Sequence, residues 1–172
     1  VYGFMLATAP ISASSISLEG KNIWLLKSSP INEKTLFISK ILVHLSILEP
    51  CIIVGGTILC ISLKLSLLAS LAIFVVPTLM NLILAFGGLL INLWQPKLDF
   101  DDETKVVKQS LSVLLTMVFG MVLSVLPYII SLLFKSLSIS GNIIASCVVY
   151  LIILICIIIS LFTWGIKKFR KL

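Results

Sequence analysis

The sequence predicts an all-α fold: a polytopic helical membrane bundle of about four full transmembrane helices plus a partial one. Three observations carry this. The mean hydropathy is +1.21 and only 12% of residues are charged, where soluble domains carry about 25%. Four apolar runs reach the roughly 20 residues needed to cross a hydrocarbon core of about 30 Å. None of these runs alternates polar and apolar residues as the strands of a membrane barrel must.

Taken in order, residues 1–16 are uncharged but short for a span. They read as the end of a transmembrane helix that begins upstream, which makes the chain part of a longer protein. The rival reading, a cleaved signal peptide, would be missing from a mature chain. Residues 17–40 form a cytoplasmic coupling or interfacial segment. Within it, LEGKNIWLLKSSPINEKTL (Leu18 to Leu36) is neither a soluble domain nor a span. On a helix Leu18, Leu25 and Leu26 share a side, Trp24 falls away from them, and Glu19, Lys21 and Lys27 scatter. Such a helix suits a place between lipid and a protein surface better than one lying on lipid alone. Ser29-Pro30 then breaks it. Ser29 or Asn32 caps the next helix, and Glu33 supports its first turn.

Residues 41–164 hold the four spans: Ile41 to Leu63, Leu67 to Leu93, Leu111 to Phe134 and Ile143 to Trp164. Glu49 is the sole acidic residue within a span. An ionised carboxylate there costs several kcal/mol and usually faces a cavity or a partner. Pro50 follows and cannot donate to the Ser46 carbonyl, so a helix break beside the carboxylate is expected. The bland alternative is a re-entrant or two-part hydrophobic segment with Glu49 protonated or bonded to a nearby serine. In the second span Pro77, Gly87 and Gly88 predict a kink or a close helix contact. Asn81 and Asn92 are expected to hydrogen-bond between helices, and Asn81 joins Glu49 as a candidate residue of a transport path.

The loop 95–110 contains Pro96, which stops a helix, and the acids Asp99, Asp101, Asp102 and Glu103 ahead of the next one. The nearby Lys97, Lys105 and Lys108 nearly balance these charges, favouring a solvated helix start over a divalent-ion site. The tail 165–172 is basic, with snorkelling side chains. Trp94 and Trp164 suit the interfacial aromatic belt.

Of the 13 lysines and arginines, all but Lys64 and Lys135 fall on alternate aqueous segments. Those segments, with the C-terminus, are therefore assigned to the cytoplasm. The same distribution explains the +6 net charge as contact with anionic headgroups rather than nucleic acid. No phosphate-binding GxxxxGK[ST], no GxSxG and no HExxH is present, so no catalytic residue, cofactor or metal is expected. Cys51 and Cys60, like Cys147 and Cys156, lie on opposite sides of a helix and read as small apolar packing groups. His44, with no cysteine or carboxylate cluster beside it in sequence, argues against a metal centre.

The run SxSxEGKNIWLLKSSPI resembles the cytoplasmic signature of ABC-2-type permeases, in the ABC exporter family of Firmicutes. The match rests on Glu19, Gly20, Lys21, Trp24, Leu26, Lys27, Ser28, Pro30 and Ile31. Leu89 to Asp99 and Glu103 to Ser110 resemble a second stretch of the same family. Ser29 departs from the apolar residue expected there, and the family's amino-terminal half is absent from this sequence. The resemblance implies a permease subunit in the bacterial plasma membrane that forms homo- or heterodimers and partners a separate ATPase. On that footing Glu19, Lys21, Trp24, Lys27 and Pro30 would couple nucleotide-driven motion to the bundle. Two other classes stay open: an ion-coupled transporter or channel subunit using Glu49, and a passive membrane scaffold. A neighbouring gene encoding GxxxxGK[ST] would separate the first reading from these.

Overall fold

A computed structural model describes residues 2–28, 30–96, 110–134 and 138–171. Helix accounts for 89% of the described residues, with no strand among them. Four helices are long and apolar enough to cross a bilayer, so the chain is an all-α multi-pass bundle. It begins with α1 (Tyr2–Ala7), the 3-10 turns Ile11–Ser14 and Ser17–Asn22, and α2 (Ile23–Ser28). The long helices are α3 (Glu33–Leu63), α4 (Leu67–Trp94), α5 (Leu111–Leu133) and α6 (Ile139–Ser160). A π-helical turn, Leu161–Gly165, carries α6 on into α7 (Ile166–Lys171). The loop acids Asp99, Asp101, Asp102 and Glu103 lie outside the described residues, as do Lys97, Lys105, Lys108, Lys135 and Ser29.

Each long helix opens on a side chain that accepts one of its orphan N–H groups. Asn32 takes Lys34 N–H at 3.1 Å, Ser66 takes Ala69 at 3.4 Å, and Ser110 and Ser138 take Val113 and Gly141 at 3.3 Å. Of the two caps expected for α3, Asn32 is the one used. At its far end α3 stops on Lys64, whose φ of 46° is left-handed.

α4 is the central helix and packs against α1, the Ile11–Ser14 turn, α3, α5, α6 and α7. One core joins Leu6, Ile52, Met80, Leu84, Leu123 and Tyr150. A second, nearer α7, joins Ile16, Phe37, Leu89, Leu93, Leu161 and Phe169. There the rings of Phe37 and Phe169 meet edge to face at 5.6 Å. Arg170 Nε donates to Glu33 Oε1 at 2.7 Å, so the start of α3 and the basic tail share one end of the bundle.

Two expectations about the backbone change. α3 runs unbroken through Pro50, because one missing amide leaves the turns on either side bonded and transmembrane helices tolerate such gaps. The first 16 residues are not simply the end of a helix. Helix α1 stops at Ala7, since a residue before proline avoids helical geometry and Pro10 follows Ala9. The chain from there to Ser17 is irregular and inserts among α3, α4 and α5, with Ser12, Ala13, Ile16 and Ser17 fully covered.

Candidate functional site

Irregular backbone can sit inside a membrane bundle only if its polar groups find partners in protein. Here side chains from three helices supply them. Asn92, buried on α4, accepts the N–H groups of Ile16 and Ser17 on one oxygen, at 2.8 and 3.0 Å. Its amide nitrogen donates to Ser17 Oγ at 2.7 Å and to Ser112 Oγ on α5 at 3.1 Å. The Ser112 hydroxyl donates in turn to the Ala13 carbonyl at 2.9 Å. The interhelical role expected of Asn92 is therefore present, together with a clamp on the inserted segment.

The second polar group is a chain of hydrogen bonds running across three elements. Ser12 N–H donates to His44 Nδ1 at 3.2 Å. In the neutral imidazole the proton then sits on Nε2, which lies 3.0 Å from Asn81 Oδ1 and donates to it. That fixes the Asn81 amide with its nitrogen toward Glu49 Oε1, at 3.0 Å. Thr78 Oγ1 donates to Glu49 Oε2 at 3.3 Å. His44 and Asn81 are fully buried, whereas Glu49 is half-buried at the edge of the chain.

The two candidate path residues, Glu49 and Asn81, are thus brought together. His44 belongs with them, although it stands alone in sequence. What links it to the carboxylate is Asn81, 37 residues away in the chain, and no local pattern reports that.

The coupling candidates occupy a different place. Glu19 forms an ion pair with Lys40 at the start of α3. Gly20 sits at φ 50°, ψ −130°, a conformation closed to other residues, and kinks the chain within Ser17–Asn22, before α2 begins. Trp24 is 63% exposed and Pro30 is exposed. The side chains of Lys21 and Lys27 lie outside the described set. Trp94 and Trp164 are both exposed near the same end of the bundle.

No cluster of metal-ligating side chains occurs among the described residues, and none of the four cysteines forms a disulfide. Cys51 and Cys156 face outward, and Cys60 and Cys147 are partly covered. A cavity of about 410 Å³ lies toward the other end of the bundle, lined by residues that include Leu59, Pro77, Met80, Pro127 and Tyr150. Its lining is mainly apolar and does not include Glu49.

Fold and site together define a multi-pass helical membrane protein with a buried polar chain ending on one carboxylate. Comparison with family models, curated proteins and solved structures returned no match.

Proposed function

We propose that the chain is the permease subunit of an ATP-driven ABC-2-type exporter of the bacterial plasma membrane, paired as a homo- or heterodimer. A separate ATPase supplies the energy. The observation that supports this reading best is the linkage at α2. Trp24 stands exposed on a short helix, while Glu19, in the Ser17–Asn22 turn that leads into it, is tied to Lys40 of α3. A push on α2 therefore reaches the helix that carries His44 and Glu49, without this chain doing any chemistry. Large aromatics dominate interface energetics, and Trp24 is the anchor for the ATPase. Glu19 and the rim lysines set orientation more than affinity. The shared end of α3 and α7 agrees with the distribution of basic residues, and both support a reading in which that end is cytoplasmic and Lys64 is outside.

The test is crosslinking from a cysteine at position 24, in the protein expressed with its ATPase. A crosslink to the ATPase in at least one nucleotide state is expected, and Trp24→Ala should lower co-purification with expression retained. Contact with lipid alone in every nucleotide state would make α2 an interfacial anchor and overturn the reading. An ion-coupled transporter or channel subunit is the second reading, favoured by the Glu49 chain. Transport that needs no ATPase and stops in Glu49→Gln would select it.

A further inference from the structure

We propose that Glu49 is a proton-carrying site, loaded and unloaded halfway along α3, with Thr78 as its switching partner and Asn81 and His44 as positioning residues. The proposal goes beyond the ATPase reading and does not depend on it. Its basis is that the observed partners satisfy the carboxyl group in both of its forms.

When Glu49 is ionised, Oε1 accepts from Asn81 and Oε2 accepts from Thr78. When a proton from hydronium bonds to Oε2, the new O–H can donate to Thr78 Oγ1, because a hydroxyl is donor and acceptor alike. The Thr78 proton then turns away, as other hydroxyls in these helices do, toward its own helix backbone. Oε1 keeps its bond from Asn81 throughout. One O–H bond of hydronium breaks as the carboxyl O–H forms, leaving water; one hydrogen bond reverses, and no oxidation state changes. Neither form leaves a polar atom orphaned, which removes one of the costs of switching a carboxyl within a span.

Asn81 can hold this position only if its amide cannot flip. His44 prevents the flip, since its Nε2–H needs Oδ1, and Ser12 N–H keeps the proton off Nδ1. Three hydroxyls also lie on the same side of α3 as the carboxyl. Ser39, Ser46 and Thr57 are exposed on α3 and project within about 80° of Glu49 around the axis. Each hydroxyl donates to its own helix, to Leu36, Leu42 and Ile53 at 2.7–2.8 Å, leaving oxygen lone pairs outward.

The charged surroundings are simple. α4 and the Ile11–Ser14 turn, packed on α3, carry no titratable group. Glu19 and Arg170 face the start of α3 and are paired with Lys40 and Glu33, with Lys40 about 13 Å down the axis. On α3 itself His44 and Cys51 are the nearest titratable groups.

The experiment is infrared difference spectroscopy, acid minus alkaline, on the full chain in phosphatidylethanolamine and phosphatidylglycerol vesicles. A protonated-carboxyl C=O band is expected at acid pH and should be lost in Glu49→Gln. In Asn81→Leu and His44→Leu that band should move to higher frequency, because the C=O has lost its donor. His44→Gln, which can still accept from Ser12 and donate to Asn81, should restore it. Labelling of Glu49 by dicyclohexylcarbodiimide, a reagent for protonated carboxyls in apolar surroundings, should follow the same pH dependence. If no pH-dependent band disappears in Glu49→Gln, the site does not exchange a proton between the two conditions and the proposal fails. An unshifted band in both leucine variants would remove Asn81 and His44 from their roles.

Discussion

Replacing Asn92 by leucine keeps the branched shape and the four heavy atoms of the side chain and removes four hydrogen bonds at once. The magnitude follows from which groups are left behind. Ile16 and Ser17 lose the oxygen that accepts both their N–H groups, and both residues are fully covered. A buried donor left unpaired costs about 1–3 kcal/mol, so the pair costs about 2–6 kcal/mol. In bilayers side-chain hydrogen bonds average about 0.6 kcal/mol, because the unfolded chain in lipid also finds partners. Four such bonds set a floor near 2 kcal/mol. The expected loss is therefore about 2–5 kcal/mol, against about 1 kcal/mol for Ser112→Ala, which removes one donor and leaves both amides paired. Reversible unfolding of the purified protein in mixed micelles, titrated with a denaturing detergent, measures both variants. A loss below about 1 kcal/mol for Asn92→Leu, no larger than that of Ser112→Ala, would refute the argument that the inserted segment depends on its backbone partners.

Gly88→Ala should destabilise by about 1–2 kcal/mol, since overpacking outweighs the gain of about 1 kcal/mol in helix propensity. A Cβ there would sit 2.5 Å from Ser12 Oγ and 3.3 Å from the Ala13 nitrogen; adding Ser12→Ala should relieve most of the loss in the same unfolding assay. Gly20→Ala should cost about 1–3 kcal/mol of local strain. It should also change the emission of Trp24 in a background where Trp94 and Trp164 are phenylalanine; unchanged emission and stability would mean that the turn adapts freely.

Much of the bundle could be read directly from the sequence because each span is a local property. Apolar length alone located α4 to within a residue or so, and Asn32 was identifiable as a cap because the cap and the amide it accepts are adjacent in sequence. Gly88 announced a close contact but not its partners, which proved to be the inserted segment together with Thr116 of α5. That segment was hidden because its local pattern, apolar residues with scattered serines, does not distinguish a frayed helix from a buried turn. Ser12, Ser14 and Ser17 beside Pro10 were the available signal. Asn81 and Glu49 looked separately interesting, but nothing joined them to His44, because the joining contacts span distances at which a single sequence has no periodicity to offer. Pro50 misled for the opposite reason: the local rule for a break was sound, and the surrounding turns overrode it.

The order in which the inserted segment acquires its partners bears on how the protein is made. Ala13 leaves the ribosome long before Ser112, 99 residues later, and at about 5–20 residues per second that interval is roughly 5–20 s. Throughout it the irregular backbone has no place in lipid, so it waits at the interface or inside the insertion machinery. It docks only when α3, α4 and α5 have all arrived. Any pause in translation between α4 and α5 lengthens that exposure, and chains stalled there should be the ones that quality-control proteases recognise.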